Sequence, residues 1–272
     1  MLDRDQKPVG RLDFAMRLVD AHCHLEDESL HARLDAVLGD AREAGVVRVL
    51  TCAVTPDQWP TSAGIARRHP EVAFALGVHP WYAKPEHLPR LDELRGAREL
   101  GATAIGEIGL DSKVETPSMD LQTEVFEAQL AIAKELALPV VIHCRGAFNE
   151  LFASLKRIGT PSPAGTIHAF SGNVHLARTF VTFGLKFSLG RSLTYKRCAK
   201  REELMRFIYP DHFLLETDSP DMPPVGAEPD APNEPRNLVL NLRGAAELLG
   251  RDPAEVAEAT TRNASEVFDL GL

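Results

Sequence analysis

The sequence predicts an α/β protein built as a single (β/α)8 barrel of the TIM type. Short apolar runs alternate with amphipathic stretches along almost the whole chain of 272 residues, and this alternation is typical of parallel strands joined by helices. Eight such units fit the length of about 250 residues that these barrels use. An open doubly wound sheet is the alternative, but its glycine-rich loop does not follow the first strand, which ends in His22-Cys23-His24.

Eight apolar runs are the predicted strands, and they lie at residues 18–24, 46–53, 72–78, 102–108, 139–144, 165–169, 184–188 and 213–218. The predicted helices lie at residues 30–44, 88–100, 121–136, 148–158, 174–183, 199–208, 236–249 and 253–268. Residues 219–235 contain six prolines, and we interpret them as a long loop after the eighth strand rather than a domain boundary.

Composition and charge narrow the class of protein. Hydrophobic residues make up 44% of the chain and charged residues 25%, which is ordinary for a globular domain and excludes disordered or collagen-like sequence. The formal net charge of −9 argues against a protein that coats nucleic acid, because such binding needs many Lys and Arg side chains. It does not argue against an enzyme with one local nucleic-acid site. The 4 cysteines form no CxxC pair, so no disulfide framework is predicted.

The N-terminal segment carries no apolar run, since residues 1–17 mix acidic and basic side chains. It is therefore predicted to be neither a signal peptide nor a membrane anchor, and no later run approaches the roughly 18 apolar residues of a spanning helix. We expect a cytoplasmic protein with no membrane contact and no obligate protein partner. Residues 1–15 are expected to form a flexible N-terminal extension, and residues 16–272 the barrel domain.

Side chains that can bind metal end five of the predicted strands. His22 and His24 are two residues apart, so on a strand they point to the same face. Because the active sites of such barrels lie at the carboxyl ends of the strands, we expect one metal site there. A lone histidine in a strand is more often structural. A chance arrangement, however, explains six ligand-type residues at one end of the barrel less well than a metal site does. The predicted ligands are His22, His24, Glu107, His143, His168 and Asp218.

The ligand set constrains the metal. Imidazole and carboxylate together suit zinc, manganese or iron, and carboxylate with water suits magnesium. Six ligands exceed the needs of one tetrahedral zinc, which favours two divalent ions about 3.5–4 Å apart. Glu107 can offer one oxygen to each ion and is the expected bridge. The sequence does not choose between Mg, Mn and Zn.

Further residues near these strand ends are candidates for supporting roles. Glu216 has the parity of Asp218 and is expected to hold a ligand imidazole in its tautomer. Arg145 has the parity of His143 and is expected to contact an anionic substrate, with a salt bridge to a helix as the alternative. His79, at the end of the third strand, is expected to contact substrate, with a turn residue before Pro80 as the alternative.

A basic stretch runs against the acidic net charge. Residues 184–201 hold six basic side chains and no acidic one, and they cover the seventh strand and its loop, where barrels often bind phosphate. Within it, Arg191 is expected to contact phosphate and Tyr195 to stack on a base. A solvated basic surface is the alternative.

These residues, taken in order, resemble the TatD family of metal-dependent deoxyribonucleases in the amidohydrolase superfamily. The likeness runs from about residue 18 to the C-terminus, and residues 1–15 match nothing in the family. The matching segments are Val19-Asp20-Ala21-His22-Cys23-His24-Leu25, Gly77-Val78-His79-Pro80, Ile105-Gly106-Glu107-Ile108-Gly109-Leu110-Asp111, Pro139-Val140-Val141-Ile142-His143-Cys144-Arg145, His168-Ala169-Phe170-Ser171-Gly172, Leu214-Leu215-Glu216-Thr217-Asp218-Ser219-Pro220 and Asn233-Glu234-Pro235.

The resemblance implies a TIM-type barrel with two divalent ions. One ion would be held by His22, His24 and Asp218, the other by His143 and His168, and Glu107 would be shared. Two departures from the family pattern occur. Many members have a cysteine or glycine at Ala169, which is expected to face outward without consequence, and members often carry tyrosines where this chain has Ser112-Lys113.

We expect hydrolysis of a phosphodiester, first of all in DNA, with Asp218 and Glu107 as the catalytic carboxylates. Asp218 would also take the proton of the attacking water. The same site could instead hydrolyse another ester or an amide, for example an aminoacyl–tRNA bond, because fold does not fix function. A barrel that has lost catalysis and serves as a binding or scaffold protein is the alternative of another class. Such a barrel usually lacks a ligand, whereas all six are present here.

Overall fold

The computed structural model describes residues 16–272, so the extension predicted at residues 1–15 lies outside the described part. The predicted single barrel is confirmed, since eight parallel strands follow one another in the sheet in chain order. The strands are β1 Leu18–Cys23, β2 Val46–Cys52, β3 Val72–Leu76, β4 Ala104–Asp111, β5 Val140–Arg145, β6 Gly165–Ile167, β7 Leu185–Leu189 and β8 Phe213–Leu215. The helices are α1 Glu28–His31, α2 Leu34–Glu43, α3 Trp59–Arg68, α4 Ala97–Leu100, α5 Met119–Leu136, α6 Phe148–Ile158, α7 Val174–Val181, α8 Ala199–Ile208, α9 Leu238–Leu249 and α10 Pro253–Phe268.

At the carboxyl ends of the strands, where the site is predicted, the observed strand ends differ from the predicted ones. β6 and β8 stop at Ile167 and Leu215, so the predicted ligands His168 and Asp218 follow the strands rather than end them. The backbone is left-handed at Ala169 and Asp218, with φ of 42° and 58°, and such a residue cannot continue a strand. β4 instead runs three residues beyond its predicted end, to Asp111.

Two helical segments differ from the sequence prediction. Most of the helix predicted at residues 88–100 is a 3-10 helix, Pro85–Gly96, with Pro89 inside it. Proline removes one backbone donor and so disfavours a regular α-helix. No helix is predicted from the sequence at α3, yet Trp59, Ala63 and Ile65 form its buried face. Its proline lies in the first turn, where the missing N–H costs nothing.

The barrel closes through the residues that carry the predicted ligands. The backbone N–H of His24 donates to Ser219 at 2.7 Å, and that of Asp218 donates to His22 at 3.0 Å. These bonds join the segment after β8 to β1 and complete the ring of strands. Closure of the barrel therefore brings His22, His24 and Asp218 together, although about two hundred residues separate them in the sequence.

The opposite end of the barrel is filled by apolar side chains. Phe268 and its neighbours on α10 belong to the same buried cluster as the inward-facing strand residues Val19, Leu50 and Leu214. The Asn263 side chain, also on α10, donates to the carbonyl of Phe213 at 2.8 Å, at the start of β8. The helix thus covers the amino ends of the strands and leaves their carboxyl ends open.

β4 and β5 approach each other closely around Glu107. A side chain at Gly109 would overlap the carbonyl oxygen of His143, and φ there is +152°, a value that favours glycine. A Cβ atom at Gly106 would lie 2.7 Å from the Cβ atom of Val141. Glycines on both sides of Glu107 therefore allow its carboxylate and the His143 imidazole to meet.

The C-terminus of α5 offers a test of this backbone geometry. Ala137 ends the helix in the left-handed region, with φ of 50°, which costs an L-residue about 1–2 kcal/mol. Ala137→Gly is expected to raise the free energy of unfolding by about 0.5–1 kcal/mol, after allowing for the greater freedom of glycine in the unfolded chain. The midpoint of urea unfolding measures this. Ala128→Gly within α5 is the matched control and should lower stability by about 1 kcal/mol, so a decrease in both variants would contradict the assignment.

Candidate metal centre

The open end of the barrel holds a cavity of about 620 Å³. Residues at or after the ends of β1 to β6 and of β8 line it, whereas none of its lining residues comes from the loop after β7. Five of the six predicted ligands line it, His22 being buried beneath them, and its rim carries Trp81, Tyr82 and Arg145. The position agrees with the end of the barrel at which such folds carry their active sites.

Four side-chain atoms form a first cluster of metal-type donors. The Nε2 atoms of His22 and His24 lie 3.2 Å apart. Glu107 Oε2 is 3.4 Å from the first of them and 3.5 Å from the second. Asp218 Oδ1 stands at the same two distances, 3.4 Å and 3.5 Å.

The other oxygen of Glu107 belongs to a second cluster. Glu107 Oε1 lies 3.2 Å from His143 Nδ1 and 2.8 Å from His168 Nε2. The two imidazole nitrogens are themselves 3.2 Å apart. The structure therefore brings all six predicted ligands together, and each oxygen of the Glu107 carboxylate faces a different set of histidines.

The spacing of the donors fits divalent ions. Around a tetrahedral ion with bonds of about 2.0–2.1 Å, neighbouring ligand atoms lie about 3.3–3.4 Å apart. In the first cluster, the His22 and His24 Nε2 atoms lie 3.2 Å from each other and 3.4–3.5 Å from the carboxylate oxygens of Glu107 and Asp218. Imidazole nitrogens and carboxylate oxygens are suitable ligands for zinc and manganese. Both clusters thus have the composition of metal sites, and Glu107 takes part in each.

Hydrogen bonds fix the tautomers of two predicted ligands, His24 and His143. His24 Nδ1 lies 2.8 Å from the carbonyl oxygen of Cys52, which can only accept, so Nδ1 carries the proton and Nε2 the lone pair. His143 is held in the opposite way, because its Nε2 lies 3.1 Å from Asp111 Oδ2. Its Nδ1 is therefore the free ligand atom. In both rings the lone pair points into the donor clusters.

His79 lies next to the clusters but has the wrong tautomer for a ligand. Its Nδ1 accepts the backbone N–H of Trp81 at 3.1 Å, so a neutral ring carries its proton on Nε2. That atom lies 3.3 Å from Glu107 Oε1 and directs its proton toward the carboxylate side of the cavity. Burial lowers the pKa of His79 and keeps the ring neutral. The predicted substrate residue thus lines the cavity, and in this structure it also lies beside the shared carboxylate.

Asp20 fixes the segment that carries Asp218. Its carboxylate accepts the backbone N–H of Thr217 at 2.9 Å and the hydroxyl of the same residue at 2.5 Å. A register irregularity in β1 between Asp20 and Cys23 interrupts the alternation of faces. The side chain of Asp20 therefore joins β1 to the chain after β8, and Cys23 packs in the apolar layer outside the barrel.

Glu216 is close to a ligand histidine but does not hold it. Its Oε2 is 3.8 Å from His168 Nδ1, which is too long for a hydrogen bond. Its two oxygens accept instead from the backbone N–H of Ala169 at 2.8 Å and from Ser188 Oγ at 2.5 Å. Burial raises the pKa of Glu216 to about 8. The hydrogen bond predicted to a ligand imidazole is therefore not formed, and Glu216 holds the backbone that follows His168.

The central carboxylates carry negative charge. Burial alone would raise the pKa of Glu107, but the imidazoles of His79, His168 and His22 hold it well below its usual value. Hydrogen bonds from the histidines likewise outweigh burial and lower the pKa of Asp218. Glu107 is only 2% exposed. An ionised carboxylate in surroundings that nearly exclude water attracts cations strongly.

Asp111 belongs to the site, although no role was predicted for it from the motif in which it lies. It is fully buried, and its Oδ2 accepts from the His143 imidazole at 3.1 Å and from the Trp81 indole N–H at 2.6 Å. Its parity with Glu107 on β4 is the signal that could identify it, but the predicted strand ended at Ile108. Trp81 itself directly follows His79-Pro80 and is also absent from the predicted site.

The predicted substrate residues on the basic stretch lie elsewhere. Arg145 is exposed and lines the cavity, but Arg191 and Tyr195 do not. Tyr195 borders a neighbouring surface cleft, and the guanidinium carbons of Arg191 and Arg201 lie 5.5 and 5.7 Å from its ring centre. The reason is the packing of the loop after β7 on α9, where a Cβ atom at Gly244 would lie 2.6 Å from the carbonyl oxygen of Leu193.

Two residues next to the predicted ligands also border the cavity. Cys144 packs in the apolar core cluster and lines the cavity as well. The expectation for Ala169 is wrong, because this residue lines the cavity. Its left-handed backbone ends the alternation of the strand, so strand parity no longer determines its direction.

Comparison with known proteins defines the class of this site. The chain is 32% identical over 258 residues to an uncharacterized metal-dependent hydrolase of Escherichia coli, YjjV, and the match covers 93% of this chain and 98% of that protein. The crystal structure of YjjV, described as a TatD homolog, superposes with a TM-score of 0.86 at 30% identity over the same shares of the two chains. The fold and these relatives define a metal-dependent hydrolase on a TIM-type barrel.

The family follows from a match across most of the chain. The profile of the family described as TatD related DNase matches residues 19–269. This chain therefore belongs to the TatD family. It is also 34% identical over 244 residues to a 3′-5′ ssDNA/RNA exonuclease, TatD, of Erwinia tasmaniensis, and that match covers 87% of this chain and 93% of the relative. None of the helices in residues 16–272 is long and apolar enough to cross a membrane.

The role of Asp111 can be tested through metal binding. Asp111→Ala is expected to weaken binding of Zn²⁺ or Mn²⁺ to the metal-free protein by roughly 10- to 100-fold. The reason is that His143 loses the acceptor that keeps its ring proton on Nε2 and leaves the lone pair of Nδ1 free for a metal ion. Calorimetric titration measures the affinity, and circular dichroism checks the fold. Asp92→Ala is the control, since that side chain is 80% exposed and bound to Arg95. Equal affinities in both variants would refute the role.

Proposed function

We propose that this protein is a two-metal phosphodiesterase, and that its substrate is DNA. The observation that carries the proposal is the division of Glu107 between two donor clusters on the floor of one open cavity. His22, His24 and Asp218 would hold one ion, and His143 and His168 the other, with Glu107 shared. Paired metal sites that share one carboxylate are typical of enzymes that hydrolyse phosphate esters.

The ions would supply part of the chemistry. When bound, divalent ions lower the pKa of a water molecule and offset the negative charge that develops at phosphorus. Asp218 lines the cavity and is ionised, so its carboxylate can accept the proton of the attacking water. His79 Nε2, 3.3 Å from Glu107 Oε1, would help to keep Glu107 oriented toward both clusters. Arg145, exposed at the rim, provides positive charge where a phosphate would enter.

Two findings support a nucleic-acid substrate. The relative in Erwinia tasmaniensis bears the name of a 3′-5′ ssDNA/RNA exonuclease, and the matching family is described by DNase activity. The open cavity also suits a chain end, because residues of seven strand ends reach it without a covering domain among residues 16–272. Single-stranded DNA is therefore the substrate that we expect to be cleaved.

Hydrolysis of a carboxylic ester or an amide in a small substrate without a polyanionic chain is the second candidate. It is favoured by the charges around the cavity. Among the lining residues of the described chain, Arg145 is the one Arg or Lys side chain, whereas Asp27 and Asp221 also line it. A rim of this kind attracts a polyanion less strongly than the basic stretch predicted from the sequence would.

The nuclease proposal predicts the behaviour of an Asp218→Asn variant. Release of nucleotides from single-stranded DNA is expected to depend on Mg²⁺ or Mn²⁺ and to fall by roughly 10²- to 10⁴-fold in the variant, because the amide cannot accept the proton. Binding of DNA to the variant should change little. Asp211→Asn is the matched control, since this exposed aspartate lies beside the start of β8 at the opposite end of the barrel.

Three outcomes decide the matter. A wild-type rate in the Asp218→Asn variant at saturating metal would exclude Asp218 as the base. Cleavage of a carboxylic ester without cleavage of DNA, by protein that carries its metal, would establish the second candidate. Absence of both activities in fully metallated protein would indicate a barrel that binds without catalysis.

A further inference from the structure

Two large aromatic side chains stand exposed at the rim of the cavity. Trp81 is 45% exposed and Tyr82 is 44% exposed, and both line the cavity that contains the donor clusters. They are consecutive residues of one 3-10 turn, Pro80–Tyr82. Leaving two adjacent aromatic rings in water forgoes the free energy of burying them. Their position beside the donor clusters puts this exposed aromatic surface where a substrate of the proposed site would lie.

The Trp81 ring is held in place by hydrogen bonds although 45% of the residue is exposed. Its indole N–H donates to the buried carboxylate of Asp111 at 2.6 Å, and its backbone N–H donates to the His79 ring at 3.1 Å. The His79 ring meets it edge-on, with the ring centres 5.1 Å apart. A ring fixed before a ligand arrives loses little conformational entropy on binding. This arrangement is that of a preformed stacking surface.

We propose that Trp81 and Tyr82 form a base-binding subsite, in which Trp81 stacks on the nucleobase next to the bond that is cleaved. This inference rests on the proposed phosphodiesterase function and specifies its substrate as a chain that carries bases close to the scissile phosphate. Aromatic side chains stack on any base, because every base has a π-face. Recognition at this subsite is therefore tolerant of sequence but requires a base.

Trp81 also acts as a positioning residue for the metal centre. The Asp111 oxygen that accepts its indole N–H is the same atom that faces His143 Nε2, at 3.1 Å. The indole N–H thus helps to hold the carboxylate that fixes the His143 tautomer. The two roles use different parts of the side chain, since the ring face meets the base and the N–H meets Asp111. Substitutions can separate them.

The stacking role is tested by fluorescence of the full chain without metal, so that no cleavage occurs. The protein has 2 tryptophans, and Trp59 is 5% exposed whereas Trp81 is 45% exposed. A single-stranded oligoadenylate is expected to quench the emission of Trp81, and an abasic oligomer of equal length and charge is expected not to. The quenching should vanish in Trp81→Leu and persist in Phe152→Leu, which removes a ring that is 39% exposed on α6.

The positioning role is tested by kinetics with metal present. Trp81→Leu is expected to raise KM for the base-bearing substrate by roughly 5- to 150-fold and to lower kcat. Trp81→Phe keeps the ring and loses the N–H, so it should lower kcat while KM stays close to the wild-type value. An equal rise of KM in both variants, or equal quenching by the abasic oligomer, would overturn the stacking role.

The two proposals fail in different ways. If the wild-type protein with metal cleaves DNA but shows no base-dependent quenching, the subsite is refuted and the phosphodiesterase function stands. If it shows base-dependent quenching but cleaves no DNA, the phosphodiesterase function is refuted. The subsite is then supported for a base-bearing ester of another kind.

Discussion

The buried carboxylate of Glu107 is the constraint on which the rest of the site depends. It is ionised, only 2% exposed, and set among imidazoles from four strand ends. An unpaired charge in such a place costs several kcal/mol, so the barrel must supply partners to both oxygens. Histidines meet this need with or without bound cations, because they can donate protons or share the carboxylate as metal ligands. Glu107 thus accounts for the histidine-rich floor of the cavity and for the candidate metal groups found there.

The need to place partners around both oxygens of Glu107 explains several less obvious features of the fold. Gly106 and Gly109 let β4 approach β5 closely enough for Glu107 to meet His143. Asp20 ties Thr217 to β1, so the closure of the barrel fixes Asp218 beside His22. Carbonyl and carboxylate acceptors outside the clusters orient the rings of His24 and His143. The ligands are short side chains on strand ends, and their precision comes from these neighbours.

The barrel and the convergence of the six predicted ligands could be predicted from the sequence, because both depend on the strands. Alternating apolar runs determine the strands, and the carboxyl ends of parallel strands meet whatever the loops do. Residues beyond the strands were less predictable. Asp111 was assigned no role because the alternation around it, between Gly109 and Ser112, gives no apolar signal for a longer strand. Arg191 and Tyr195 were misplaced because the packing of their loop on α9 is a long-range contact that residue spacing does not encode.

Strands and loops carry different parts of the proposed site. The candidate metal-binding floor is built on β1, β4 and β5 and on the residues just after β6 and β8. The rim of the cavity lies on loops, which can differ without disturbing that floor. Asp111 is the exception, because one of its oxygens faces both His143 on the floor and Trp81 on the rim. In the proposed function, a change at Trp81 would therefore reach the predicted metal ligand His143 through a single buried atom. The proposed substrate binding and metal geometry would thus be coupled at this point of the structure, while Arg145 and Tyr82 belong to the rim outside that hydrogen-bonded chain.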